Sequence, residues 1–387
     1  MPASVRVEAT CTRDPFRGIE TGWDRLAGGT PFCQLDWYRN WWEHYGSPNA
    51  SRILTVWRED DCIGIVPFYV QAAAPWGRIL RLMGSGDICS DHQSILCSPE
   101  DAQVVGVAVA NWLVDSVCRT ASDKLQANSI QARTKECWNL IELDGLNPRD
   151  SAFAAAIDQL GKNHFVVHDR STLHTWRIDL PDSMESYLSM LSKPCRRKVR
   201  SALQRFADGE CRACYAESEA DFLRSWDRLV DLHQRRRNSL GESGCFARPK
   251  FKESLFATAK AFHEADRLDF VTVLIGDRPV AAELCFRGSR TTYAYQIGID
   301  PDALKDNPGW LVNTASIARA IELGQTGFDL CRGDAAYKHH LGARPTTCRS
   351  LRLVPPRLRS QAWDAAWCTG SALKRWYQTS IAKEAVV

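Results

Sequence analysis

The segment with the densest chemistry runs from Phe328 to Gly342 and reads FDLCRGDAAYKHHLG. A short apolar run carries Asp329 and then becomes a polar loop. That loop contains Arg332, Asp334, Tyr337 and Lys338. Titratable groups that directly follow a buried strand are typical of a site presented by a rigid scaffold. We therefore expect this strand and loop to form part of an active or binding site.

The residue types in this segment suit acyl transfer. That reaction needs a base to take the proton of the nucleophile and donors to stabilise the carbonyl oxyanion. Asp329 or Asp334 could serve as the base, Tyr337 could protonate a leaving thiolate, and Lys338 could bind a phosphate or an anionic acceptor. Each residue alone is more often structural, with Asp329 at a strand end and Lys338 paired with Asp334 on the surface. The cluster as a whole favours function.

Glu283 is a third candidate base. It lies in the apolar run VAAELCF, where strand alternation places Ala281, Glu283 and Cys285 on one face. A carboxylate at this position either faces solvent or lines a cleft, where burial would raise its pKa. The base therefore stays open among Asp329, Asp334 and Glu283.

A helix start precedes this segment and is a candidate anion site. The predicted donor-binding residues are Pro308, Gly309, Trp310 and Leu311. Proline is favoured in the first turn, and the free N–H groups there suit a pyrophosphate. The helix is predicted over 308–323 and ends at Gly324. The alternative is a well-formed helix start without a ligand, and the sequence has no glycine-rich dinucleotide or P-loop motif.

A strongly basic helix is predicted over 193–206. Six of the thirteen residues between positions 193 and 205 are basic, and Arg196, Arg197 and Arg200 are the predicted substrate-binding residues among them. This density favours phosphate binding, whether of CoA, a nucleotide-linked donor or RNA, over a merely solvated helix face. Interleaved aromatic residues that would stack on bases are missing, which weakens a role in nucleic-acid binding. In the first half, Asp91 and His92 are expected to line an acceptor cleft.

The composition indicates a two-domain, cytoplasmic protein. The chain has 387 residues, which is more than one domain's worth. Its fifteen scattered cysteines indicate reduced thiols. Its net charge of +3 indicates no global attraction to nucleic acid or membrane. We predict no metal site, because Cys211 and Cys214 lack a second ligand pair and the neighbouring His339 and His340 point apart. No segment reaches the roughly 20 apolar residues of a membrane span, and the first residues lack a signal-peptide core.

Periodicity predicts helices followed by an antiparallel meander in each half, which is an α+β fold. Strands are predicted over 52–57, 63–70, 80–83, 126–132, 269–275, 280–286, 291–299 and 349–354, and at Phe328. Further helices are predicted over 102–119, 151–160, 184–191, 220–237 and 251–265. The predicted divisions are an N-terminal domain over 1–145, a connector over 146–175, a C-terminal domain over 176–356 and a helical tail over 357–387.

These motifs together resemble the GNAT-fold family named for cellulose-biosynthesis acetyltransferases (CelD/BcsL type). The matching positions in the second half are Lys193, Arg196, Arg197, Arg200, Pro308, Gly309, Gly324, Phe328, Asp329, Arg332, Gly333, Asp334, Tyr337, Lys338 and Gly342. The first half is similar to the family's N-terminal signature at Phe32, Trp37, Trp41, Trp42, 65–68 and 90–92. The resemblance covers residues 20 to 355.

The resemblance implies two GNAT-like lobes, each a mixed, mostly antiparallel sheet flanked by helices, similar to the FemAB peptidoglycan-bridge transferases. It implies transfer of an acyl group from acetyl-CoA or another acyl-CoA co-substrate, with no permanently bound cofactor, to an amine or hydroxyl of a sugar, cell-envelope or exopolysaccharide precursor. The sequence departs from the usual GNAT pyrophosphate loop at residues 306–310. Two alternatives therefore remain: a FemAB-like transferase that uses aminoacyl-tRNA, and a non-catalytic nucleotide- or partner-binding subunit of a polysaccharide synthesis complex.

We accordingly predict two sets of site residues beside the donor-binding helix start. The predicted catalytic residues are Asp329, Glu283, Tyr337 and Lys338. The predicted substrate-binding residues are Arg332, Asp334, Arg196, Arg197, Arg200, Asp91 and His92.

Overall fold

The computed structural model describes residues 5–47, 50–73, 77–118 and 138–369. The strands are β1 Val5–Thr10, β2 Ser51–Arg58, β3 Asp61–Ala73, β4 Gly77–Leu82, β5 Leu96–Cys97, β6 Leu140–Leu146, β7 Val166–Asp169, β8 Leu173–Asp179, β9 Cys211–Tyr215, β10 Leu268–Ile275, β11 Arg278–Arg287, β12 Thr291–Ile299, β13 Gly327–Arg332 and β14 Arg344–Val354. The α-helices are α1 Glu20–Leu26, α2 Leu35–Tyr45, α3 Ala102–Cys118, α4 Ser151–Lys162, α5 Met184–Met190, α6 Lys193–Ala207, α7 Glu219–Asn238, α8 Pro249–Glu264, α9 Pro308–Glu322 and α10 Ala336–His340. A further helix covers 358–369.

Two sheets that share strand β14 make up the described part of the molecule. One runs in the order β1-β2-β3-β4-β6-β14, and the other in the order β9-β10-β11-β12-β13-β8-β14. In each, four antiparallel strands lead to a parallel pair, β4 with β6 and β12 with β13. The chain between the members of each pair contains a long helix, α3 or α9. The predicted α+β fold with two mixed, mostly antiparallel sheets is therefore present.

The last strand, β14, belongs to both sheets. Residues 344–348 pair with β8, and residues 349–354 pair with β6 and β7. We call residues 5–169 together with residues 349–354 the N-terminal lobe, and residues 173–348 the C-terminal lobe. The predicted boundary at residue 145 lies inside β6, and α4 of the predicted connector packs on α3, so most of that connector is part of the N-terminal lobe.

An aromatic core joins the two lobes. The aromatic-rich helices α1 and α2 bury Trp23, Trp37, Tyr38 and Trp41. The ring centroid of Trp37 lies 5.3 Å from that of Phe286 on β11, and that of Phe32 lies 5.5 Å from that of Tyr293 on β12. Such edge-to-face pairs add to the free energy gained by burying the rings. Aromatic contacts therefore help to hold the two lobes together.

Several elements differ from their prediction. The predicted helices are confirmed within one or two residues at most ends; α9, for example, ends at Glu322. The sequence prediction missed seven short elements: β1, β5, β6, β7, β8, β9 and α10. The predicted strand over 126–132 lies outside the described residues. Throughout the part of the chain that the structure describes, no helix has the length and apolar character that crossing a bilayer requires.

Candidate functional site

A gap opens in the centre of the C-terminal sheet. Residues 291–293 of β12 pair with residues 327–329 of β13, and no further pairs join these parallel strands. Beyond this point β12 continues beside β11, whereas Arg332 of β13 pairs with Thr175 of β8. The backbone of Cys331 has a φ of 56°, a left-handed value that bends β13 at this point. The two strands therefore separate next to the start of α9.

The start of α9 is shaped by residues that precede and follow it. Asn307 takes a left-handed conformation, with φ 55° and ψ 49°, and Pro308 begins the helix. The Asn313 side chain donates to the Gly309 carbonyl over 2.7 Å. The N–H groups of the first turn carry a partial positive charge. The predicted helix start is confirmed as an element, and its ligand stays a prediction.

A basic cavity of about 280 Å³ lies between α6 and this helix start. It is lined by Arg197, Lys198, Ser201, Arg205, Asn307, Trp310 and Leu311, among others. The ammonium of Lys198 lies 5.1 Å from the centre of the Trp310 ring, and Arg205 donates to the Asp306 carbonyl over 2.9 Å. Two predicted donor-binding residues and one predicted basic residue therefore meet here.

The other two predicted basic residues of α6 lie elsewhere. Arg196 donates to the carbonyls of Leu188 and Leu191, over 2.8 Å and 3.0 Å. It thereby supplies hydrogen-bond donors to carbonyl groups at the end of α5. Arg200 is exposed and does not line the cavity. Helical periodicity explains the difference. Arg197 and Ser201, four residues apart, share one face of α6, whereas Arg196 and Arg200 lie together on the neighbouring face.

An apolar cavity of about 280 Å³ adjoins the basic one. It is lined by Ile297, Ile299, Leu304, Asn307, Pro308, Gly309, Trp310, Asn313, Tyr337 and Leu341. Asn307 and Trp310 line both cavities, so the two are neighbours. Desolvation raises the pKa of the Tyr337 hydroxyl, and the Glu283 charge raises it further. The phenol therefore stays protonated near neutral pH.

Glu283 lies under the helix side of the sheet. It pairs in register with Ile297 of the apolar cavity and is 2% exposed. Burial raises its pKa from 4.5 to about 7, although the Ser316 hydroxyl on α9 opposes the shift. Its Oε2 has no hydrogen-bond partner among the described residues. The carboxyl group can therefore change its charge near neutral pH.

Asp329 faces the opposite side of the sheet, toward the N-terminal lobe. Its Oδ2 lies 2.9 Å from Nε2 of His92, and its Oδ1 accepts from the Cys331 N–H over 2.7 Å. Burial acts to lower the pKa of His92, but the hydrogen bond and charge of Asp329 outweigh it and raise that pKa. Two residues that are 237 positions apart thus form one Asp–His pair, in which Asp329 is buried and His92 is partly exposed.

This pair lines a cleft of about 610 Å³ between the lobes, which we call the interlobe cleft. Tyr293, Asp329 and Arg177 are paired neighbours on β12, β13 and β8 and all line it. Gly327 leaves the space in which the Arg177 guanidinium lies, since a Cβ there would be 2.5 Å from that group. Arg290 adds a second cation to the lining.

Asp91 and Arg332 bind each other across the lobes. The backbone N–H and Nε of Arg332 donate to the two carboxylate oxygens of Asp91 over 2.8 Å and 2.7 Å. Arg332 also donates to the Ser90 carbonyl over 2.9 Å and to Asp144 over 3.2 Å. The two side chains are 11% and 3% exposed and protein groups bind their polar atoms, so substrate binding by Arg332 and Asp91 stays a prediction.

Lys338 and Asp334 also have protein partners. The buried ammonium of Lys338 donates to the carbonyls of Cys331 and Arg332, each over 3.0 Å. Asp334 is exposed and accepts from Nδ1 of His174 and Nε1 of Trp176 over 3.1 Å and 3.0 Å. The Trp176 hydrogen bond is the main cause of its lowered pKa. Lys338 therefore holds the end of β13, and the predicted surface pair of Lys338 with Asp334 is absent.

Three of the four predicted catalytic residues are thus divided by the sheet, and the fourth, Lys338, binds the backbone at the end of β13. Glu283 and Tyr337 lie on the helix side, whereas Asp329 faces the interlobe cleft. The sequence prediction missed Arg177 and Tyr293, because their neighbourhood depends on strand register. The one sequence signal was Gly327, since a glycine inside a strand marks a close approach.

One group of possible metal ligands occurs among the described residues. Ligand atoms of His168, Asp364 and Cys368 lie within 4.8 Å of one another. The Arg352 guanidinium lies 3.5 Å from Asp364 and already supplies a positive charge there. A divalent cation would be repelled by it, so the group fits an ion poorly.

The comparisons with known proteins agree with this architecture. Residues 193–339 match the family model of an acetyltransferase (GNAT) domain. The matched segment lies within the C-terminal lobe and includes α9 and β13, so this lobe has the GNAT fold. No curated protein matches the sequence.

Solved structures resemble the chain over most of its length. The crystal structure of FemX superposes with a TM-score of 0.62 at 12% identity, covering 89% of this chain and 98% of FemX. The C-terminal domain of a putative lysylphosphatidylglycerol synthetase from Agrobacterium fabrum gives 0.51 at 11% identity, covering 90% and 94%. A conserved protein of unknown function from Bacteroides thetaiotaomicron gives 0.50 at 11%, covering 90% and 100%. These identities show the fold alone, and the predicted GNAT-like lobes are confirmed.

Proposed function

We propose that this chain is an acyltransferase that moves an acyl group, such as acetyl, from acyl-CoA to an amine or hydroxyl of a sugar or cell-envelope precursor. Exopolysaccharide precursors, including those of cellulose synthesis, are the acceptor class that we favour. The observation that carries the proposal is the pair of adjoining cavities at the start of α9, which share Asn307 and Trp310 beside the gap in the sheet.

The donor fits these two cavities in one direction. The pyrophosphate would lie in the basic cavity, near the positive end of the α9 dipole and against the cations of Arg197, Lys198 and Arg205. The less polar pantetheine arm would follow the apolar cavity past Ile297 and Pro308. The thioester would then lie near Tyr337, at the gap between β12 and β13.

The acceptor would enter from the interlobe cleft. The neutral His92 ring takes the proton of the attacking amine or hydroxyl while Asp329 holds the ring through Nε2. As the new N–C or O–C bond forms, the C–S bond breaks and the electron pair stays on sulfur. The thiolate accepts a hydrogen bond from Tyr337 and finally takes the proton that left the acceptor. Glu283, on the donor side, is the alternative base.

The remaining predicted residues support this arrangement as positioning groups. Lys338 fixes the carbonyls at the bend of β13, and the Asp91–Arg332 pair holds His92 against Asp329. Arg177 and Arg290 line the cleft and would contact the acceptor. Asp334 would act only at the surface.

A second candidate donor is aminoacyl-tRNA. The observation that favours it is the exposed basic surface of α6, where Arg200 lies outside the basic cavity. Phosphates of an RNA backbone could bind there with strong salt dependence.

Calorimetric titration with acetyl-CoA, longer acyl-CoAs and desulfo-CoA tests the proposal. We expect each to bind, and acetyl-CoA to be consumed with a panel of amines and sugars. If CoA does not bind and charged tRNA binds in a salt-sensitive way, the donor is aminoacyl-tRNA and not acyl-CoA. CoA binding without turnover on any acceptor would favour a non-catalytic subunit of a polysaccharide synthesis complex.

A further inference from the structure

The charged side chains that line the interlobe cleft are not matched one to one. They include three arginines and two aspartates, which are Arg149, Arg177, Arg290, Asp150 and Asp329. An arginine that faces a cavity without an acidic partner attracts anions to that cavity. Which of these charges a bound molecule meets depends on the partners that each side chain already has.

The two aspartates are already bound by donors of the protein. Asp150 lies before α4, and its two oxygens accept from the N–H groups of Phe153 and Ile95 over 2.9 Å and 2.8 Å. The oxygens of Asp329 are held by His92 and by a backbone N–H two residues later in β13. Every carboxylate oxygen of the lining therefore has a hydrogen-bond partner, so these groups do not require a cationic ligand.

The arginines, in contrast, keep open donors. Arg149 and Arg290 are exposed, and no described group pairs with either guanidinium. Arg177 is 43% exposed, and its Nε lies 3.2 Å from a carboxylate oxygen of Asp179, which is 72% exposed. So exposed an ion pair contributes little to stability, and no described group binds the Nη1 of Arg177. These guanidinium groups are therefore accessible to a ligand in the cleft.

The C-terminal sheet places Arg177 and Arg290 at the start of β13. Both contact Thr326, whose N–H donates to the Arg290 carbonyl over 2.9 Å and whose carbonyl lies 3.5 Å from Nη2 of Arg177. The missing side chain of Gly327 leaves the space for the Arg177 guanidinium. Arg177 also pairs in register with Asp329. Two cations therefore lie on the wall that carries the Asp329–His92 pair.

An oxyanion fits this wall better than a neutral or cationic group. A phosphate ester or a carboxylate accepts from the planar fork of a guanidinium, in hydrogen bonds that are roughly twice as strong as neutral ones. An ammonium would be repelled by both arginines, and a hydroxyl would leave their charges uncompensated. The cleft, at about 610 Å³, is larger than an isolated anion, so it has room for the rest of an acceptor beside His92.

We propose that the acceptor carries an oxyanion, either a phosphate ester or a carboxylate, which Arg177 and Arg290 bind while the reacting amine or hydroxyl lies at His92. The acceptor class is then an acidic sugar, such as a sugar phosphate or a uronate. This inference rests on the proposed function, because it specifies the acceptor of that reaction.

Calorimetry on the full chain, without acyl-CoA, tests the proposal with ligands that share one ring. The ligands are D-glucose, D-glucose 1-phosphate, D-glucose 6-phosphate and D-glucuronate. We expect at least one of the three anionic sugars to bind about tenfold or more tighter than D-glucose. Binding of the phosphates alone identifies a phosphate ester, and binding of D-glucuronate alone identifies a carboxylate.

Variants of the two arginines show whether this preference arises at the proposed place. Arg177→Gln and Arg290→Gln should each reduce the preference for the anionic sugar about tenfold. Arg212→Gln is the matched control, since this exposed arginine of the same lobe lies outside the cleft, and it should keep the full preference. Arg290→Gln, at an exposed position, carries the test if Arg177→Gln does not fold by circular dichroism.

Three results would overturn the proposal. The first is that no anionic sugar binds tighter than D-glucose. The second is a preference that survives both Arg177→Gln and Arg290→Gln. The third is a preference that is lost only in Arg197→Gln, which would place the anion in the basic cavity of the donor.

Failure of this inference and failure of the proposed function give different results. If anionic sugars bind through Arg177 but acyl-CoA does not bind, the acyl transfer is wrong and the anion site stands. If acyl-CoA is consumed equally fast with neutral and anionic sugars, the transfer stands and the anionic acceptor is wrong.

Discussion

At the residue scale, the pair of His92 with Asp329 has the geometry of a base and its orienting carboxylate. Asp329 holds one ring nitrogen, which leaves the other for a proton from the acceptor. The exposed pair of His174 with Asp334 combines the same residue types on the surface. The two pairs differ in burial and location, so they form a natural comparison for experiment.

Replacing Asp329 should change both the rate and its pH dependence. We expect Asp329→Asn to lower kcat/KM by about 10²-fold or more. Because Asp329 raises the pKa of His92, its loss should move the acidic limb of the pH–rate profile to lower pH. Rates with acetyl-CoA and an amine or sugar panel between pH 5 and 9 measure both effects. Asp334→Asn is the control, and an equal loss in both variants would rule out the special role of Asp329.

Glu283 should make stability depend on pH in a defined direction. Its pKa is about 7 in the folded protein and 4.5 without burial, so the folded state binds more protons between these values. The resulting stability is present below pH 4.5 and is lost as the pH rises through 7, by about 3 kcal/mol in total. Glu283→Gln should abolish this loss. Urea unfolding of both proteins at pH 5 and pH 8 measures it, and parallel curves for the two would contradict the expectation.

At the element scale, the site depends on how β13 lies between its neighbours. Beside β12 it presents Asp329 next to Tyr293, and beside β8 it places Asp329 next to Arg177. The side chain of Arg177 lies over Gly327, where any larger residue would displace it. The strand therefore positions an acid and a cation on one wall of the interlobe cleft.

Gly327→Ala should act through Arg177. We expect it to raise the KM of the acceptor about tenfold, as Arg177→Gln does, because a charge-assisted contact is lost. The double variant should be no worse than either single one, since both remove the same contact. Gly161→Ala is the matched control, because an added Cβ there meets open space. Additive effects, or an equal effect of the control, would show that Gly327 does not act through Arg177.

Sequence patterns predicted the long elements well, and for a physical reason. Helices such as α7 and α9 have an apolar stripe and end signals in the chain itself, including Gly324. The short edge strands β7 and β9 have no such pattern, and they form only through pairing with β14 and β10. The pairing of His92 with Asp329 was out of reach, because it depends on the packing of one lobe on the other. Nor could the chain alone show that protein groups already bind the side chains of Asp91, Arg196 and Arg332.

At the scale of the whole molecule, the two lobes are joined by β14 and by the Asp91–Arg332 pair. The strand completes both sheets, so neither lobe can lose it without exposing an edge. Asp91 of this ion pair directly precedes His92 of the site in the chain. Stability and the geometry of the cleft should therefore change together.

Breaking the interlobe pair should destabilise the whole chain. We expect Arg332→Met to lower the free energy of unfolding by about 3–5 kcal/mol, because Asp91 is left buried without its cation. Unfolding followed by tryptophan fluorescence and by circular dichroism should stay one coincident transition. Arg212→Met, at an exposed position, should change little. Separate transitions for the two probes, or a small loss in Arg332→Met, would show that the lobes are stable independently.

The most direct test of the proposed function is calorimetry of acetyl-CoA binding to two variants of one helix. Arg197 lines the basic cavity, whereas Arg200, three residues later on α6, is exposed and outside it. We predict that Arg197→Gln raises the Kd of acetyl-CoA at least tenfold, which is about 1.4 kcal/mol, and that Arg200→Gln leaves it unchanged. Equal effects of the two substitutions, or acetyl-CoA binding that neither one weakens, would contradict a donor site at the start of α9.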